Sequence, residues 1–301
     1  MERLNTEYKT WLQTLGFSKS TVYNYPKMVF YFLEWLEKQN IHDIYLLKNH
    51  HLKTYFLYLE TRQNFRKKGA LSTAHLNKTF DAIDKFLEYL QQMGANTPSP
   101  TGYRILQDKT LYISKIKVLT KDQIKELYTA SEQIYNDLPF ELSEPRQALA
   151  KVILDLCYGC GLRKSEAHNL MISDVDLDKK LLFIRQAKGN KDRLIPITEN
   201  IKNRLQTFIY QHHKTLLNSP LSRIQNKENY HKKLLPISQN TLPFYIQKIT
   251  EQSNLEQVIG LHTLRHSIAT HFLQAGMSIE NIAKFLGHSS LESTQIYTHL
   301  I

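Results

Sequence analysis

The chain has 301 residues, 42% hydrophobic and 22% charged, a soluble globular balance with enough length for two domains. The opening MERLNTEYKTWL lacks an apolar run followed by small residues, and no stretch of about 18 uncharged apolar residues occurs, so neither a secretory signal nor a membrane span is expected. There are 39 Lys and Arg against 28 Asp and Glu, a net charge of +11, shared as 13 basic to 9 acidic in residues 1–100 and 26 to 19 in the rest, which favours a polyanionic partner gripped by both halves.

The first hundred residues read as helix. STVYNYPKMVFYFLEWLEKQ (Ser20 to Gln39) places Tyr25, Met28, Val29, Phe32, Leu33, Trp35 and Leu36 near a 3.6-residue period. Ser18 or Ser20 can cap it, and Pro26 is expected within its first turns, where proline costs least. HLKTYFLYLETRQ (His51 to Gln63) and STAHLNKTFDAIDKFLEYLQQM (Ser72 to Met93) repeat the pattern, and a helix near residues 3–15 makes four, a small bundle. GANTPSPTGYR (Gly94 to Arg104) then packs glycine, proline and small polar residues together, so a boundary is placed there, with 1–96 as a helical domain, 97–104 as linker and 105–301 as a second domain.

The second part is mixed but mostly helical. Helices fit Lys121–Glu132, Pro145–Cys157, Glu199–Leu217, Thr241–Ser253, Leu264–Ala275 and Ser278–Phe285. KLLFIRQAKGNKDRLIPI (Lys180 to Ile197) alternates and breaks at Lys188 to Lys191, as two strands joined by a basic turn. NSPLSRIQNKENYHKK reads as a polar loop or insertion. The two cysteines, Cys157 and Cys160, cannot make a disulfide framework and have no second pair for zinc, so they read as buried residues of a protein in a reducing cytoplasm. YGCGLRK lacks the glycine spacing of a phosphate-binding loop, HExxH is absent, and no carboxylate cluster suits magnesium; no metal or cofactor is expected.

What remains is a set of basic and hydroxyl residues in special settings. In YGCGLRKSEAHNL a helix ends at glycines and Arg163 follows, with Glu166 three residues on to orient it if a helix restarts. In AKGNKDR, Lys188 occupies the hairpin turn. In LHTLRHSIATHF, His262 and Arg265 stand three apart on one helix face with His266 beside them. In LGHSSLESTQIYTHL, His288 precedes Tyr297 near the end of the chain. Singly, each has an ordinary explanation as a surface charge, a cap or one of 17 tyrosines. Their joint occurrence carries the reading.

These four stretches resemble the tyrosine recombinase (integrase) family of site-specific DNA recombinases. GLRKSE resembles its first arginine box, HTLRHSIATHFLQAG its His-x-x-Arg box, LGHSSLESTQIYTHL its last histidine and nucleophilic tyrosine, and AKGNKDRLIPI its β-hairpin lysine segment. The match covers roughly residues 120–300 in a Xer-like layout, and SKSTVYNYPKMVFYFLEWL resembles the core-binding helical domain more weakly. Leu261 stands where the family often has proline, Cys160 replaces a common small polar residue, and the short end after Tyr297 leaves little for the usual tail exchange between protomers.

The resemblance implies a reaction. Tyr297 attacks a DNA phosphodiester, giving a 3′-phosphotyrosine and a free 5′-hydroxyl without metal or ATP. His262 would take the phenolic proton, since a phenol of pKa near 10 is about one part in a thousand ionised at pH 7. Arg163, Arg265 and His288 would hold the phosphate oxygens, Lys188 would protonate the leaving oxygen with Lys191 as its fallback, and Glu166 would orient. Lys19, Arg66, Lys67, Lys68, Lys78, Lys191 and Arg193 would grip the DNA backbone. The expected partners are double-stranded DNA with inverted-repeat sites and, on it, a homo-tetramer or a hetero-tetramer with a related recombinase, two domains forming a C-shaped clamp. No arm-binding module is expected before the bundle. The competing readings are a catalytically silent DNA-binding relative and a type IB topoisomerase-like enzyme.

Overall fold

The computed structural model describes residues 2–64, 68–105, 116–187, 191–219, 228–288 and 290–299. The backbone falls into two compact units, residues 1–108 and 109–301. The fold is mainly α, with one three-stranded antiparallel sheet in the second unit.

The first unit is built from α1 (Glu2–Thr14), α2 (Lys19–Lys38), α3 (Asn49–Thr61) and α4 (Thr73–Gln92). The caps follow from the sequence: Ser18 Oγ accepts from Thr21 N at 3.2 Å and Ser72 Oγ from His75 N at 3.3 Å, each serving an amide of the helix's first turn. Pro26 is the eighth residue of α2 rather than one of its first, and it is buried. The helix forgoes one bond there and makes up for it through core contacts. The core is aromatic. Tyr8, Phe32, Phe80 and Phe86 are fully buried, Tyr8 meets Phe86 edge to face at 5.2 Å, and its hydroxyl donates to Ala82 O. The stretch 97–104, read above as linker, is strapped along this bundle. Buried Asp84 accepts from Thr101 N at 2.7 Å, Gly102 N at 3.0 Å and Arg104 Nη1 at 3.2 Å, and Tyr103 stacks on Phe56.

The second unit runs α5 (Lys121–Ser131), α6 (Phe140–Leu154), a π-type turn (Asp155–Gly159), α7 (Lys164–Asn169), β1 (Val175–Asp176), β2 (Leu181–Ala187) and β3 (Lys191–Pro196). It continues with α8 (Glu199–Thr207), α9 (His213–Asn218), α10 (Glu228–His231), α11 (Thr241–Gln252), α12 (Leu261–Gln274), α13 (Ile279–Leu286), α14 (Glu292–Gln295) and a 3-10 turn (Ile296–His299). A second π-type turn, Phe208–His212, joins α8 to α9. α6 begins at Phe140, five residues before the Pro145 at which a start was expected. α12 begins at Leu261, so His262 and Arg265 fall in its first two turns. The hairpin pairs Leu182 with Ile195 and Ile184 with Arg193, and β1 adds an edge that the sequence reading lacked.

One buried ion pair fixes the π-type turn. Asp155 is fully buried, accepts from Arg204 Nε at 2.7 Å and Nη2 at 2.6 Å, and accepts from Tyr128 Oη at 2.7 Å. α5, α6 and α8 are thereby tied together just before the GCGLRKSE stretch. Cys157 and Cys160 are buried behind it, and burial pushes the Cys157 thiol up to about 12.

Candidate active site

The chain leaves the π-type turn through Gly161, whose φ of +60° is one that L side chains rarely adopt. An added Cβ would also fall 2.8 Å from Leu286 Cδ2, so both the turn and the close approach of α13 require glycine. Arg163 then caps α7 in an extended conformation, and Glu166, three residues on, reaches back to accept from Arg163 N at 2.9 Å. That backward reach fixes the carboxylate beside the arginine side chains.

Three guanidinium groups converge on Glu166 and on the carboxyl end of α13. Arg163 Nη1 donates to Glu166 Oε1 at 2.9 Å, and its Nη2 donates to Gly287 O at 3.1 Å. Arg193 Nη1 and Nη2 donate to the two carboxylate oxygens at 3.1 and 2.9 Å, and its Nε to Phe285 O at 3.0 Å. Arg265 donates to Gly161 O and, through Nη2, to Leu286 O at 2.7 Å, with Glu166 3.9 Å away. The carbonyls of Phe285, Leu286 and Gly287 have no partners inside their own helix, and a helix C-terminus favours cations. Three cations facing one carboxylate leave the site positive.

The protonation states follow from that charge. Burial raises the Glu166 carboxyl, but Arg193 and Arg163 outweigh it and hold the group down at about 2. Burial and the neighbouring Arg163 charge lower Arg265 to about 10. His288 is lowered to about 3 by burial and then by Arg265, Arg163, His266 and Arg193, so it is neutral, and its Nδ1 lies 2.7 Å from Thr294 Oγ1. His262 is lowered by burial, Arg265, Arg163 and Lys164, yet its side chain is exposed on the first turn of α12.

Tyr297 belongs to this cluster. It is only 1% exposed, its ring lies parallel to that of His288 with centroids 6.4 Å apart, and its hydroxyl is 3.1 Å from His266 Nδ1. Gly287 ends α13 at φ +66° and turns the chain toward this tyrosine; a Cβ there would meet Arg193 Nη1 at 2.6 Å.

Arg163, Glu166, Arg265, His288 and Tyr297 thus gather in one place, with His262 at its exposed edge. Arg193, expected on the DNA backbone, is instead turned inward, its side chain 9% exposed, because Glu166 and Phe285 O hold its guanidinium. Lys188 lies outside the described residues, as do Arg66 and Lys67; Lys191 is in β3, but its side chain is not described. Lys19 and Lys68 are exposed and Lys78 is half-buried, all in the first unit. His266 was noticed in the sequence but given no role. The available signal was its spacing of four from His262, which puts both rings on one helix face.

With this geometry in hand, the comparisons are consistent. The Phage integrase family model matches residues 117–301. Tyrosine recombinase XerC of Lacticaseibacillus casei is 34% identical over 234 residues, 77% of this chain and 74% of that protein. Tyrosine recombinase XerA of Pyrococcus horikoshii is 29% identical over 292 residues, 97% of this chain and 87% of that protein. Among solved structures, XerH site-specific recombinase bound to palindromic difH substrate in a post-cleavage complex matches the fold with a TM-score of 0.67, at 19% identity over 93% of this chain and 76% of that one. The family match over most of the chain, with these relatives, identifies it as a member of the phage integrase family, a tyrosine site-specific recombinase.

Proposed function

We propose that the chain cuts and rejoins duplex DNA through a 3′-phosphotyrosine on Tyr297, without metal or ATP. The observation that carries this is the gathering of Tyr297 with Arg163, Arg265 and His288 around a site where, among the described residues, three guanidinium groups share the Glu166 carboxylate. A phosphodiester brings the missing negative charge, and the transition state brings more. Arg163 and Arg265 supply fixed, always-charged donors for the non-bridging oxygens, and His288 supplies a further N–H; each such donor is worth roughly 3 kcal/mol of barrier. Their charge takes the part that a metal ion plays in other phosphoryl-transfer sites. The phosphotyrosine retains the energy of the broken bond, so the 5′-hydroxyl of a partner strand can displace the tyrosine without a nucleotide.

Lys188 on the hairpin turn is the proposed acid for the leaving 5′-oxygen, with Lys191 as the alternative, and His262 the base named by the resemblance. Glu166 and Arg193 position the other two arginines. The first unit would hold DNA through Lys19, Arg66, Lys67, Lys68 and Lys78. The relatives are named as Xer recombinases, and fold neighbours are described bound to difH substrate or in complex with circular intermediate DNA. By that analogy the partner is a duplex with inverted-repeat sites, bound by a homo-tetramer or by a hetero-tetramer with a related recombinase, in the cytoplasm.

Because Tyr297 is almost wholly buried, a phosphate reaches its hydroxyl only once the groups that cover the ring part. A nicked suicide substrate tests the reading. The native chain should give a covalent protein–DNA band and Tyr297→Phe none; an equal band from both would overturn it. Relaxation of supercoiled DNA bearing no recombination site would favour the topoisomerase-like alternative.

A further inference from the structure

The resemblance assigns the phenolic proton to His262, but the geometry places another group on it. Tyr297 Oη lies 3.1 Å from Nδ1 of His266, within the reach a general base needs. The two rings are 5.6 Å apart and inclined at 55°, so the contact is edge-on to the imidazole nitrogen rather than a face stack. His262 is one helical turn away, its ring 6.4 Å from that of His266, and it is exposed. α12 therefore presents two imidazoles with different surroundings: one open to an arriving phosphate, one half-buried against the tyrosine.

We propose that His266 is the acceptor of the Tyr297 proton, and that His262 is left to serve the phosphate. The inference rests on Tyr297 being the nucleophile. On cleavage, the Oη–H proton passes to His266 Nδ1 while Oη bonds to phosphorus. The P–O5′ bond breaks, and the leaving oxygen takes a proton from the acid on the hairpin. On resealing, the 5′-hydroxyl attacks phosphorus, the P–Oη bond breaks, and His266 returns its proton to the phenolate.

The surroundings make this base conditional on substrate. The titratable and charged groups that face His266 are His262 and Arg265 on its own helix, His288 after α13, and Tyr297 on the last turn. Burial first, then His262 and Arg265, lower it to about 4, so it is neutral and a weak base, and with the proton on Nε2 its Nδ1 can accept from the phenol. A phosphodiester seated on the guanidinium groups offsets the positive charge that depresses it, and the growing charge of the transition state does so further. Basicity rises when DNA is in the site, and a tyrosine without DNA keeps its proton.

The test uses the full chain on the suicide substrate under single-turnover conditions, with DNA affinity and thermal melting measured on every variant. His266→Asn keeps an acceptor near the Nδ1 position but cannot take up a proton; His266→Phe keeps the ring volume and removes the acceptor. Both should bind DNA within about twofold of the native chain and cleave on the order of 100-fold more slowly, the low end of what general-base catalysis supplies. The rise of cleavage rate with pH should move in His266→Asn toward the phenol's own range near 10, and stay in place in His262→Asn. Native cleavage rates in either His266 variant, or an unmoved pH profile in His266→Asn, would overturn the proposal. The reading of Tyr297 is checked apart from it. A covalent band lost in Tyr297→Phe but undiminished in the His266 variants sinks only the base assignment, whereas a band retained in Tyr297→Phe sinks the nucleophile itself.

Discussion

The two units are stabilised by different means. In the first, the deep positions are Tyr8, Phe32, Phe80, Phe86 and their aliphatic neighbours, and buried Asp84 is a strap for the 97–104 segment. In the second, the core also takes in Arg146, Asp155, Glu166, Arg265 and His271. An apolar core tolerates loss of one member at the expense of a cavity. A buried charge network does not tolerate loss of one member, because the remaining charges stay buried without compensation. The unit that carries chemistry has therefore accepted a less forgiving interior, and it has done so where the positive charge lies.

The largest effect that sharpens this contrast is expected from Glu166→Ala. It removes the carboxylate that Arg163, Arg193 and Arg265 share, and should destabilise the second unit by about 3–5 kcal/mol while leaving the first intact. Hydrogen exchange resolved along the chain would locate the loss. Protection lost equally in α1–α4 would break the comparison. Phe86→Ala should act in reverse, costing about 3–4 kcal/mol in the bundle and leaving exchange in α12 and α13 unchanged.

Gly287→Ala is expected to be smaller in stability, about 1–3 kcal/mol, from a strained φ and a Cβ pressed against Arg193. Its effect on covalent complex formation should exceed its effect on melting, because it displaces His288 and the turn leading to Tyr297. Acid tests the same contrast without a substitution. His266 and His288 are held at about 4 and about 3, below the ordinary value near 6.5, so the unfolded chain takes up protons that the folded chain refuses. Their contribution is full above pH 6.5 and is lost as pH falls toward those values. Melting of the second unit between pH 7 and 4 should show this slope, and the slope should flatten in a His266→Asn, His288→Asn double variant.

Much of this was legible in the sequence. Helices α1–α4 follow an unbroken 3.6-residue period with Ser18 and Ser72 as caps, and local signals of that kind are what periodicity reads well. The starts of α6 and α12 were not legible, since Pro145 and the Leu261 region carry conflicting local signals that packing resolves. The two-residue strand β1 exists only through its pairing with Leu181 and Leu182, a non-local fact. At the site, the four stretches and the family they resemble pointed to Arg163, Glu166, Arg265, His288 and Tyr297 together. Arg193 looked like a surface cation because a sequence does not say that Glu166, 27 positions away, faces it. The contact of His266 with Tyr297 spans 31 positions and is a property of the folded last turn.

The most direct test of the account is to identify the residue that carries the DNA. The covalent complex trapped on a suicide substrate would be digested with protease and nuclease, and the nucleotide-bearing peptide sequenced by mass spectrometry. The account predicts a phosphodeoxynucleotide on the phenolic oxygen of Tyr297, linked through the 3′ side of the break. A nucleotide on another residue such as Tyr158, or a 5′ linkage, would contradict it.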